Sequence, residues 1–95
     1  MDQADWIDET ATQLADLYSR QFGGKPGGRY RISAKLLRQM ARRRRLYEND
    51  IRHLSRCLFE KGYVLIDMDV FFVVMGTNSF TNYRRANDDT LGQHA

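Results

Sequence analysis

Apolar and polar positions divide the chain into segments of different period. Trp6, Ile7, Leu14, Leu17, Tyr18 and Phe22 share about half of a wheel turned by about 100° per residue, which predicts a helix over residues 4–22. Asp5, Asp8 and Glu9 occupy its first turns, where the helix dipole favours acids, and Gly23 is a plausible stop. Residues 23–28 hold four glycines and the only proline, so they form a loop. Residues 29–32 alternate basic and apolar side chains, as a short half-buried strand does. Ser33 can cap a helix that starts at Ala34 and ends near Arg43. On that helix Leu36, Leu37, Met40 and Ala41 share one side, and Lys35, Arg38, Arg42 and Arg45 share the other. Arg44 would break the apolar side if the helix ran on, so residues 44–47 are expected as a turn.

A further helix is expected over residues 48–61, closed by Gly62. Its core face carries Ile51, Leu54 and Leu58 with Phe59 alongside; its opposite face carries Asn49, Arg52, His53, Arg56 and Glu60. Residues 63–67 and 70–75 read as two strands joined by a tight turn at Asp67-Met68-Asp69. The tail from Gly76 is polar. Phe80 and Tyr83 suggest a short helix within residues 79–86, and residues 87–95 have almost nothing to bury and are expected to fray.

A length of 95 residues points to one domain over residues 1–95, and 42% hydrophobic residues suffice for a small core. The single cysteine, Cys57, cannot form an internal disulfide and suits a reducing compartment, where it is expected to pack at the core or its boundary. The acidic start lacks the lysines and apolar run of a signal peptide. No apolar stretch approaches the ~20 residues of a membrane span. These features lead to the expectation of a soluble cytoplasmic protein without a membrane partner, nucleoid-associated if bacterial. No nucleophile–histidine–acid set and no phosphate-cradling glycine motif is present, so an enzyme is not expected, and no cofactor is implied.

Charge changes this picture. Residues 29–56 hold ten of the fifteen basic residues and only two acids, Glu48 and Asp50, for a formal +8. The preceding 28 residues carry −3 and the last 39 carry −2, so the net +3 hides a strongly basic middle. Such a field attracts polyanions, nucleic acid first among them.

The order helix, short strand, helix, turn, helix, β-hairpin, with the Gly62-Tyr63-Val64 junction, resembles the winged helix-turn-helix domain over residues 4–75. The resemblance rests on element order and hydrophobic spacing, because the family has no short diagnostic motif. It implies an α+β fold, mostly α, with residues 29–62 as the basic helix-turn-helix, residues 63–75 as the wing, and a short C-terminal helix or arm in residues 76–95. It also implies that residues 48–61 form the helix that enters the major groove, with Asn49, Arg52, His53 and Arg56 facing the bases. A DNA-contacting wing is normally basic; this one turns at two aspartates, which leaves Arg84 and Arg85 as candidate arm contacts instead.

Arg42-Arg43-Arg44-Arg45 is the sharpest local signal. The guanidinium fork matches phosphate oxygens, and Arg31, Lys35 and Arg38 extend the phosphate-binding set. The plain alternative is a solvated helix end, which the dipole also favours. Likewise Asn49 and the arginines after it suit base edges, yet every amphipathic helix has a polar face. Glu48–Arg52 and Glu60–Arg56 pairs would also suit a purely structural helix. His53 and Cys57 have ligand spacing, but a structural zinc site needs four ligands and no second pair exists, so no metal is expected. Tyr30, Tyr47, Phe80 and Tyr83 could stack on unpaired bases or simply pack. Trp6 and Tyr18 with an exposed Phe71 or Phe72 could form a homodimer surface, through the first helix or the tail.

The expected function is sequence-specific or architectural binding of double-stranded DNA by a small transcriptional regulator. The alternative is a winged-helix interaction subunit or adaptor whose basic face meets an acidic protein partner. RNA binding is a third class, separated by its preference for loops and single strands.

Overall fold

A computed structural model describes residues 3–92. In chain order the elements are α1 (Gln3–Ser19), β1 (Tyr30–Ser33), α2 (Ala34–Ala41), α3 (Glu48–Glu60), β2 (Tyr63–Asp67), β3 (Phe71–Gly76), a 3-10 turn at Thr77–Phe80, and α4 (Asp88–Gly92). The fold is α+β: four helices and one antiparallel three-stranded sheet.

The sheet order is β1-β3-β2, so the isolated strand before α2 joins the hairpin through β3 rather than standing alone. Ile32 lies opposite Phe72, and Leu65 opposite Val74. These four are buried and form the sheet's share of the core, against Leu14 of α1, Leu37 of α2, and Leu54 and Leu58 of α3. Strand alternation sends Arg31, Phe71 and Val73 to the other face.

Local chemistry explains most element ends. The Ser33 hydroxyl accepts from Leu36 N–H at 3.0 Å, satisfying one orphan donor of α2, a cap that contributes about 1 kcal/mol. At α3, the Asp50 carboxylate accepts from the Tyr47 N–H at 3.0 Å, and Glu48 and Asp50 sit in the first turn. Gly62, at φ 98°, takes the chain out of α3 into β2 in a conformation open to glycine at little cost. The hairpin is held by Met68 N–H to Phe71 carbonyl at 2.9 Å and by Asp69 N–H to Asp67 Oδ1 at 2.8 Å.

Six features differ from the sequence expectation. The first helix ends at Ser19, not at residue 22: Phe22 leaves the helical wheel and packs edge-on to Tyr30, with ring centroids 5.5 Å apart. α2 stops at Ala41, two residues early, because Arg42 adopts the left-handed conformation (φ 57°). Leu36, expected on the apolar side of α2, is 50% exposed, and Phe59 beside the core face of α3 is 63% exposed. The expected helix within residues 79–86 is instead the 3-10 turn, though Phe80 and Tyr83 do pack edge-to-face at 5.3 Å. Residues 88–92, expected to fray, form α4, whose first turn is tied to Asn87 by Thr90 N–H to Asn87 Oδ1 at 3.2 Å. The rest of that tail, residues 93–95, lies outside the described residues.

Tyr30 fastens β1 to α1 by donating its hydroxyl to the Leu14 carbonyl. Burial, and secondarily the neighbouring Tyr63, push its phenol well above the usual tyrosine range, so the hydroxyl stays protonated and keeps donating. No helix among the described residues is long and apolar enough to cross a membrane.

Candidate functional site

The outward side of α3 carries Asn49, Arg52, His53 and Arg56, all exposed, opposite the buried Leu54 and Leu58. This is the separation that the spacing predicts. Arg52 reaches back to Glu48 at 3.4 Å, with both side chains well exposed, so water screens the pair and it contributes at most about 1 kcal/mol. Arg56 makes no ion pair with Glu60 among the described residues. The other acid of the basic segment, Asp50, is turned onto the Tyr47 backbone. Both acids are thus engaged at the start of α3.

The four arginines before α3 lie almost wholly outside a helix. Arg42 N–H donates to the Gln39 carbonyl at 3.1 Å, and Arg43 N–H donates to the Arg38 carbonyl at 3.0 Å. That pair of bonds is the glycine-type helix closure, here made with arginine at the left-handed position. Arg42, Arg43, Arg44 and Arg45 then follow the turn and are all exposed. Arg43 lies over the Trp6 ring, its guanidinium carbon 4.4 Å from the ring centroid. The contact fixes one arginine of the turn against α1 while its edge remains open.

The expected stripe of Lys35, Arg38, Arg42 and Arg45 is not formed. Only Lys35 and Arg38 are on α2, because the helix ends before the other two. Lys35 is exposed, whereas Arg38 is half-buried in a cleft it shares with Glu48, Asp67 and Asp69. The acidic hairpin turn therefore faces Arg38 across this cleft, with no ion pair between them among the described residues. Arg31 is separated further. It leaves β1 on the face opposite the core, with its guanidinium carbon 5.6 Å from the centre of the Phe71 ring. Arg84 and Arg85 are exposed beyond the 3-10 turn and line a cleft with Tyr83 and Thr90.

The aromatic candidates divide in the same way. Tyr30 is tied into the core, while Tyr47 and Tyr83 are exposed. Trp6 and Tyr18 of α1 pack against the core and Phe72 is buried, so these side chains are used within the chain and do not form an open apolar patch. Cys57 is half-buried against the core. What sequence reasoning missed is that Arg20, Lys25 and Arg29 converge with Arg31 on one cleft by the glycine-rich loop. The signal was present as basic residues on both sides of that loop, but their convergence depends on how it folds back.

Comparison with known proteins finds no matching protein family, no matching curated protein and no matching solved structure.

Proposed function

We propose that the chain is a winged-helix protein that binds double-stranded DNA, acting as a small transcriptional regulator or DNA-organising factor. α3 enters the major groove, Asn49, Arg52, His53 and Arg56 meet base edges, and the turn of Arg42, Arg44 and Arg45 holds the flanking phosphates. The observation that carries this reading is the left-handed Arg42. Holding a residue other than glycine there costs about 1–2 kcal/mol, and glycine would close the helix without that cost. An arginine retained at that point and followed by three more supports a role for its charge; Glu9 borders the cleft beside Arg42 and Arg43 but pairs with neither among the described residues. The strand order β1-β3-β2 with α2 and α3 between the first two strands in sequence agrees with the winged-helix arrangement. A homodimer would double the contacts.

Selection of bound sequences from a random duplex pool tests the proposal. Enrichment of a defined site is expected; failure of random duplex, selected duplex and RNA alike to bind at low salt would overturn it. Within the selected site, replacing Asn49 or Arg52 is expected to relax preference at one base pair, a loss of roughly 1–3 kcal/mol on that site alone, while random duplex binds nearly as before. The readout is competition between site and random duplex for each variant.

One observation favours a second reading. The hairpin tip is acidic and also apolar: Met68 is 49% and Val70 is 70% exposed. Such a tip suits a protein contact better than a phosphate, as in an interaction subunit whose basic face meets an acidic partner. Binding to an acidic polypeptide with no binding to any duplex would select that reading.

A further inference from the structure

The glycine-rich loop between α1 and β1 carries its own basic cluster. Arg20, Lys25, Arg29 and Arg31 line one cleft of about 590 Å³ with Phe22 and Tyr30, and no acid among the described residues lines it. None of the four cations is in an ion pair among the described residues. Asp16, one turn before Arg20, lines a neighbouring cleft that Arg20 also borders, without an ion pair to it among the described residues.

The loop is also built to hold its shape. Phe22 and Lys25 exchange backbone hydrogen bonds of 3.1 and 3.0 Å across Gly23 and Gly24, whose φ of 59° and 80° make a tight two-residue turn. Gly28 N–H donates to the Tyr18 carbonyl at 2.8 Å. Gly27 passes so close to the end of α1 that an added Cβ would sit 3.2 Å from the same carbonyl oxygen. Phe22 is stacked edge-on to Tyr30, which is itself fastened to α1. A rigid loop that gathers four cations loses little entropy when an anion docks.

We propose that this loop is a second phosphate-binding surface and that it takes the backbone of a second duplex segment. Arginine and lysine with no amide side chain among them suit sequence-independent contact with phosphate rather than base reading. Arg31 leaves the sheet on the face the helices do not cover, so this surface and the outward side of α3 are separate. The choice of duplex as the partner rests on the DNA-binding proposal; the convergence of cations does not.

The test is a titration of isotope-labelled protein with a short random duplex past one equivalent at low salt, following the backbone amides of Gly23, Gly24, Lys25, Gly27 and Gly28 and of α3. The same titration is run on a variant carrying Arg20→Ser, Lys25→Ser, Arg29→Ser and Arg31→Ser. The expected result is two isotherms, the loop amides moving independently of α3. In the variant the loop shifts disappear while a separate α3 isotherm remains, weakened only by the general loss of positive charge at low salt. Loop amides that stay still, or that follow the α3 isotherm in both proteins, overturn the inference. Movement of the loop alone sustains it and overturns the α3 proposal; movement of neither overturns both. If the variant does not fold, the presence or absence of a separate loop isotherm in the unsubstituted protein decides.

Discussion

Replacing Arg42, Arg43, Arg44 and Arg45 together by alanine is expected to weaken binding to every duplex by on the order of a hundredfold near physiological salt. The loss follows from counterion release. Each neutralised phosphate contributes about 0.9 to the slope of log affinity against log salt, so the variant's salt dependence flattens as its affinity falls. The size of the flattening carries information about Arg43. If that side chain stays over Trp6, three arginines reach phosphate and the slope drops by about 2.7; if DNA draws it off the ring, the drop is about 3.6. Affinity measured at several salt concentrations, on a selected site and on random duplex in parallel, separates these outcomes. A loss confined to the selected site, with random duplex unaffected, would refute the phosphate role of the turn. The fold itself is expected to survive, since all four side chains are exposed.

The largest effect on stability is expected at Leu54. It is 1% exposed, belongs to the same core cluster as Leu37 and Leu58, and lies on the back of the helix that presents Arg52 and His53. Leu54→Ala removes buried methyl groups and leaves a cavity, at a cost of about 3–4 kcal/mol. A domain of this size has roughly 5–14 kcal/mol in all, so the midpoint of thermal unfolding is expected to fall by about 20 °C. Phe59, five positions on and 63% exposed, provides the contrast: Phe59→Ala is expected to change stability by no more than about 0.5 kcal/mol despite removing a larger side chain. Comparable losses from the two, measured by thermal or urea unfolding, would refute this assignment of the core.

These residues also show where local sequence was informative. Leu54 and Leu58 were identifiable because α3 is long enough, at 13 residues, for its apolar period to repeat. Ser33 and the Gly62 junction were legible because each uses a residue type whose chemistry suits only that position. Leu36 was not legible: α2 has 8 residues, and in two turns a wheel cannot tell a core position from its neighbour. Phe22 was in phase with α1 but found a better partner in Tyr30, a contact that local periodicity cannot register. The end of α2 was hidden because arginine gives no left-handed signal. The Asn87–Thr90 cap was visible as residue types, yet α4 buries nothing and so lacked an apolar pattern to announce it.

The candidate site was legible in part for related reasons. The exposed polar side of α3 follows from helical period alone. The turn of arginines follows from sequence adjacency, though not its conformation. Arg31 and Arg38 depended on tertiary placement: strand alternation carried the first to the far face of the sheet, and the folding-back of the hairpin brought two aspartates into the cleft with the second.

Trp6 is the only tryptophan in the chain, its indole nitrogen is enclosed without a hydrogen-bond partner among the described residues, and its ring is roofed by Arg43. The chain's indole emission therefore originates from a single fluorophore lying directly beneath a member of the arginine turn. Any anion that pulls Arg43 away uncovers that ring and alters its brightness and colour. The protein thus carries an intrinsic optical gauge of the state of its turn, readable without a label.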